Sequence, residues 1–199
     1  MMINKPARQH GFSLLELMTT ITVAAILLVI AVPSFRDVIH RNQVSSASNE
    51  ILASLAYART EAITRGQLVS LCPSADGASC TAGGQAFAPG WLVYTYPAGV
   101  VSANKAYDST KSILLRATTA RTGVSIQSRS AEIVTFGQQG QLKSATTTPT
   151  LTIVACYSDS TSSGNSSSTT AVLGIELDVN GSGSVQTKTL AAGASCTPS

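Results

Sequence analysis

An α+β fold, one long helix laid on a body of antiparallel strands, is the architecture this 199-residue sequence predicts. Three observations carry the expectation. Residues 12–32 are apolar except near their start, and 17–32 hold no charge at all, which is bilayer-spanning length for a helix (about 20 residues). Val44, Ala47, Ile51, Leu55, Ala58 and Ala62 then recur at spacings of three and four, the stripe of an amphipathic helix. After Gly66 the pattern changes to short runs rich in Val, Ile, Leu and Thr, separated by Gly, Pro, Asn and Ser. Such runs without intervening helical periodicity argue for antiparallel sheet.

Residues 1–11 read as a basic leader. Lys5 and Arg8 precede the apolar run and no acid does, so the positive-inside rule holds the N-terminus in the cytoplasm and sends the rest outward. An ordinary secretory signal is cut after its apolar segment, at small residues. Here the segment ends Ile30-Ala31-Val32-Pro33-Ser34-Phe35-Arg36, poor material for such a cut. Residues 12–33 therefore read as a transmembrane segment, and Glu16 is its oddity. A carboxylate in hydrocarbon costs about 2.5–3.5 kcal/mol and is usually paired. Cleavage between Gly11 and Phe12 would supply the partner, an α-amine four positions from Glu16.

Residues 34–66 read as the amphipathic second half of the same helix. Arg36, Arg41, Asn49, Arg59 and Thr60 lie largely on faces other than the stripe. Arg65 followed by Gly66 supplies a cation near the C-terminus and a residue tolerant of the left-handed cap. Pro33 removes a helical hydrogen bond and crowds the preceding turn, so a kink is expected there.

The remaining residues, 67–199, form the strand-rich domain, with strands expected at 67–72, 91–96, 112–116, 123–127, 132–136, 150–156, 171–179 and 184–190. Residues 158–170 are a low-complexity Ser/Thr loop that cannot bury enough apolar area to order itself. Its hydroxyls and the Asn165-Ser166-Ser167 sequon set an adhesive or glycan-bearing reading beside that of a flexible solvated connection.

Cys72, Cys80, Cys156 and Cys196 all follow the apolar run, on what should be the oxidising side of the membrane. Connectivity is not determined by sequence. The pairing favoured is Cys72–Cys80, closing a short turn, with Cys156–Cys196 tying the tail to an interior strand; the chain-entropy relation gives about 2.5 and about 4 kcal/mol. No C-x-x-C spacing occurs, and histidine stands only at positions 10 and 40, so no zinc site is expected. Catalysis fails on inventory as well. His10 leaves with the leader and His40 sits on the stalk, so no Ser-His-Asp or Cys-His arrangement can form in the body, and no phosphate-binding or dinucleotide loop is present. Glu176 and Asp178 alternate on one strand beside an Asn180-Gly181 turn and read as a solvated face. No enzyme, cofactor or metal is expected.

The segment Gly11-Phe12-Ser13-Leu14-Leu15-Glu16 resembles the prepilin signature shared by type IV pilins and type II secretion pseudopilins. The resemblance implies a membrane-embedded prepilin peptidase that cleaves after Gly11 and methylates the Phe12 amine. It makes Glu16 the assembly residue, pairing with an N-terminal amine of its own or a neighbouring subunit. Pro33 matches a proline that kinks or locally melts the first helix in many pilins. Residues 54–66, the strand ending Leu71-Cys72-Pro73-Ser74, and Gly90-Trp91-Leu92-Val93 together resemble the minor pilin domain of the GspH/FimT (FimU-like) type. The likeness covers the helix and first strands and fades through the C-terminal half. It implies a low-abundance minor type IV pilin, anchored in the inner membrane with its domain in the periplasm. Such a subunit primes pilus assembly and sits in the tip complex among other minor pilins and the major pilin.

Two alternatives stand beside it. One is an H-type minor pseudopilin of a type II secretion system, with pseudopilins as partners. The other is a DNA-binding minor pilin for natural transformation. Loss of Lys5 and Arg8 lowers the formal charge of +3 by two, to +1, whereas phosphate binding wants a concentrated basic face. The stretch 180–185 also lacks the arginine of DNA-binding relatives. Weak DNA contact would need folding to gather Arg116, Arg121, Arg129, Lys143 and Lys188.

Overall fold

The computed structural model describes residues 11–100, 102–130, 133–143, 150–159 and 166–198, apart from the side chains at 30, 32 and 33. The leader with Lys5, Arg8 and His10 lies outside that set, as do the middle of the Ser/Thr loop and its Asn165. The chain divides into two compact units, Met1–Val38 and Ile39–Ser199.

Helix α1 spans Leu14–Arg65. It begins two residues later than the apolar pattern does, because Ser13 caps it. The Ser13 hydroxyl accepts the Glu16 N–H at 3.2 Å and the Ser13 carbonyl accepts the Leu17 N–H at 3.2 Å, satisfying donors that a helix start leaves orphaned. The end is as expected: Gly66 takes the left-handed conformation (φ 61°) just past Arg65. Pro33 falls within the span of α1.

In the second unit, two antiparallel sheets share one core with the 39–65 portion of α1. The first contains β1 (Val69–Pro73), β2 (Trp91–Thr95), β3 (Ile113–Thr118), β5 (Val134–Phe136) and β6 (Leu142–Lys143), in the order β3-β2-β1-β5-β6. The second contains β4 (Val124–Ser128), β7 (Leu151–Tyr157), β8 (Ile175–Val179) and β9 (Val185–Thr189), in the order β4-β7-β8-β9. All six members of the helical stripe are buried in that core, with Val69, Leu71, Trp91, Val93 and Phe136 from the first sheet and Ile126, Ile153 and Leu177 from the second. The polar atoms within the core find partners. Trp91 Nε1–H donates to Ser54 Oγ at 3.0 Å, and the hydroxyls of Ser70 and Thr135, opposite each other across β1 and β5, lie 2.7 Å apart.

Strands β1 and β2 are buried on both faces, because the outer face of the first sheet is also covered. Leu68, Cys72, Leu92, Tyr94 and Tyr96 form a second apolar cluster there, with Val100 and Tyr107 from the β2–β3 connection packed against it. The phenols of Tyr94 and Tyr96 both donate to the Lys105 carbonyl, at 2.6 and 2.8 Å. Burial pushes the Tyr94 phenol far above its ordinary pKa. The outer face of the second sheet is covered in the same way, by Cys196 and Leu190 against Val154 and Cys156.

Three details depart from expectation. Residues 171–174 do not extend β8. Thr169 N–H donates to Val172 O at 3.0 Å and Val172 N–H to Thr169 Oγ1 at 2.9 Å, a tight turn that consumes the bonds a strand would need. Strand β6, only two residues long, arises from the turn after β5, where Gly137 N–H donates to Gln141 O at 2.8 Å. The β8–β9 turn spans 180–184, closed by Asn180 N–H to Ser184 O at 3.0 Å, and its left-handed residue is Gly183 (φ 79°) rather than Gly181.

Candidate functional site

The processing and assembly residues lie on the first unit. Gly11 and Phe12 precede the cap, and a Cβ added at Gly11 would meet none of the described residues within 4 Å. Glu16 stands in the first turn of α1, three residues after Ser13, at the spacing of a capping box. Its carboxylate makes no ion pair or hydrogen bond among the described residues. Around it the helix is apolar on every side: Phe12 is 82% exposed, and Leu14, Leu15, Leu17, Met18, Ile21, Val23, Ile26, Leu27, Leu28 and Val29 are all exposed. The hydroxyls of Thr19, Thr20 and Thr22 donate back to the carbonyls of Glu16, Leu17 and Met18 at 2.9, 2.9 and 2.8 Å, so these side chains bring no unsatisfied donor to an apolar surrounding. Among described residues 11–35, Glu16 is thus the one charged side chain on an exposed apolar surface, of the kind that marks a membrane or protein contact. Pro33, the expected kink, is followed by more exposed apolar side chains, Phe35 and Val38.

On the second unit, both cystine pairs form as favoured. Cys72–Cys80 bridges Cα atoms 5.7 Å apart and Cys156–Cys196 bridges Cα atoms 6.0 Å apart. Each lies in one of the outer-face clusters, so the cystines anchor the segments that cover the two sheets. Within the first loop, Asp76 accepts the Ser79 hydroxyl at 2.6 Å, the Ala78 and Ser79 N–H groups at 2.9 and 2.8 Å, and the Ser74 hydroxyl at 3.0 Å. These bonds, that of the Ser79 hydroxyl foremost, hold its carboxyl well below the usual carboxylate range. Asp108 is lowered in the same sense, chiefly by the Thr110 hydroxyl and N–H.

Helix α1 is pinned to the domain by contacts that the sequence did not announce. Arg59 Nε–H donates to Gly140 O at 3.0 Å and its Nη2–H to Ser182 O at 3.1 Å, so one guanidinium holds a turn from each sheet. Arg41 donates to Ala171 O, and Glu50 pairs with Arg121. His40 stacks on Tyr157, with ring centroids 3.9 Å apart. His40 therefore belongs to the domain and not to a bare stalk, a placement that the helical pattern alone could not reveal.

The five cations considered for nucleic acid are spread out. Arg116 is on β3 and Lys143 on β6, at opposite edges of the first sheet. Arg121 is taken by Glu50, and Lys188 by Glu176 at 3.2 Å, directly opposite it across β8 and β9. Arg129 follows β4, its N–H bonded to Thr152 O at 2.9 Å. Glu176 and Asp178, neighbours on β8, are likewise engaged across strands, Asp178 accepting the Thr152 hydroxyl at 2.7 Å. Among the described residues no cluster of three or more His, Cys, Asp or Glu side chains could hold a metal ion.

Comparison with known proteins agrees with this anatomy. Residues 6–32 match the prokaryotic N-terminal methylation motif, and residues 47–183 match the family described as type II transport protein GspH. The methylation motif implies processing by a prepilin peptidase. A crystal structure of the type IV minor pilin FimU of Pseudomonas aeruginosa is similar at 22% identity and a TM-score of 0.50, over 77% of this chain and 97% of that one. A second crystal form of FimU gives 21% identity and a TM-score of 0.48, over 75% and 99%. With a pilin-like fold, an N-methylation motif and a family match across most of its length, the chain belongs to the GspH family of minor pilins and pseudopilins, structural subunits rather than enzymes.

Proposed function

We propose that this chain is a minor type IV pilin, processed after Gly11, anchored in the inner membrane by residues 12–33 with its domain in the periplasm, and incorporated into the complex that primes a pilus and caps its tip. The observation that carries the reading is Glu16, without a partner among the described residues on an otherwise apolar, exposed helix. Cleavage supplies the one group that resolves it, an α-amine four residues away. Pairing leaves no unpaired charge in an apolar surrounding, and the attraction between the two groups offsets part of their desolvation penalty, so packing against other helices of the same kind becomes less costly. Pro33 then supplies the local weakness at which the helix adapts to the assembly. The domain docks onto other minor subunits through protein contacts.

The description of the matching family as a type II transport protein favours a second reading, an H-type minor pseudopilin working by the same chemistry. The dispersed and partly paired cations give no support to the DNA-receptor reading. Glu16→Val separates the possibilities. Membrane insertion should persist, while piliation falls if the machine is a pilus and protein secretion falls if it is a secretion system. Wild-type levels of both would remove the assembly role.

A further inference from the structure

We propose that the free edge of β3 accepts an extended segment of a neighbouring subunit as an added strand, one that carries a carboxylate opposite Arg116. The four sheet edges differ. The outer edge of β4 is already occupied by residues 85–87, with Phe87 N–H donating to Ile126 O and Ser128 N–H to Gln85 O, both at 2.8 Å. Strand β6 is two residues long, and Leu142 N–H donates to Gly181 O at 3.1 Å, so the β8–β9 turn covers it. Strand β9 is open, but its exposed side chains are Gln186, Thr187, Lys188 and Thr189, a polar edge of the kind that resists pairing.

Strand β3 is the exception. It has six residues, pairs only with β2, and makes no backbone bond on its other side among the described residues. It exposes Ile113 at 58% and Leu114 at 38%. An antiparallel strand bonded on one side turns alternate N–H and C=O groups outward, and these are what an added strand would bond.

The chemistry of the edge also selects the occupant. Arg116 is exposed on β3 and forms no ion pair among the described residues. Antiparallel pairing of β3 with a second copy would bring two Arg116 side chains near each other, and like charges across strands are destabilising. The register of β3 on β2 also shifts between Val93 and Tyr94, a local irregularity that disfavours indiscriminate flat pairing. The fitting partner is a different chain: extended, apolar where it meets Ile113 and Leu114, and acidic where it meets Arg116.

This proposal rests on the reading of the chain as an assembly subunit. The test is hydrogen exchange on the full-length protein, alone in detergent and within the heteromeric assembly recovered from membranes. The amides within 113–117 that are not bonded to β2 should slow by roughly tenfold or more in the assembly, while those of β9 stay unchanged. R116E should lower incorporation about tenfold, equivalent to about 1.4 kcal/mol, with the melting temperature unaltered; K188E should not. A chain that enters the assembly with β3 exchange unchanged overturns the added strand alone. A chain that never enters an assembly overturns both readings.

Discussion

Arg59 shows how much a single residue carries in this molecule. It sits on the amphipathic half of α1, yet its guanidinium fork spans Gly140 and Ser182, 81 and 123 residues away. The backbone beneath it is equally constrained: a Cβ at Gly183 would stand 1.9 Å from the Gly140 carbonyl oxygen, at a φ of 79°. Arg59→Lys keeps the charge but loses the fork and should cost about 1–3 kcal/mol in chemical denaturation. Gly183→Ala should cost at least about 2 kcal/mol, from collision and backbone strain together. Neither site was legible in the sequence, because their partners are remote and are backbone atoms that no side-chain pattern marks. The Ser13 cap was missed although it had a signal, Ser-x-x-Glu at the start of an apolar run, because Glu16 invited a different explanation. Asp76 makes a pH prediction. Its carboxyl is depressed by its hydrogen bonds, so its contribution is complete above the unfolded value near 4 and is lost as pH falls toward the lower folded value. The amide shifts of Ala78 and Ser79 should therefore titrate with a midpoint well below that of an ordinary aspartate; a midpoint near 4 would contradict these bonds.

At the scale of elements, α1 and the sheets were legible to different degrees. The helical stripe was read without error because burial on one face imposes a period of 3.6 and all six members are core. Leu55→Ala should accordingly cost about 2–5 kcal/mol, measurable as a fall in the denaturation midpoint; a change under about 0.5 kcal/mol would mean that the stripe does not face the core. The strands were found as apolar runs, but not their division into two sheets. Strands β1 and β2 bury both faces, so they show no alternation that would reveal a covered outer side. Strand β6 is too short to have a pattern, and β8 begins late because the Thr169–Val172 turn takes hydrogen bonds that a run of Val, Leu and Ile promises to a strand.

At the scale of the whole molecule, the cystines and the N-terminal segment serve different purposes. The first anchor the covers of the two sheets; the second carries the N-methylation motif and an apolar run of membrane-spanning length. Replacing Cys156 and Cys196 together by Ser should remove up to about 4 kcal/mol and loosen the tail from Val154. Replacing Gly11 should leave this stability untouched, since none of the described residues packs there. The two cystines and the prepilin signature fit the proposed topology, in which the domain meets an oxidising environment outside the inner membrane. In the proposed assembly, Glu16 awaits an amine made by cleavage. Intact mass and N-terminal sequence of the protein recovered from membranes test it most directly. The expected chain begins at N-methylated Phe12; one that retains Lys5 and Arg8 would leave Glu16 without its partner and overturn the assembly reading.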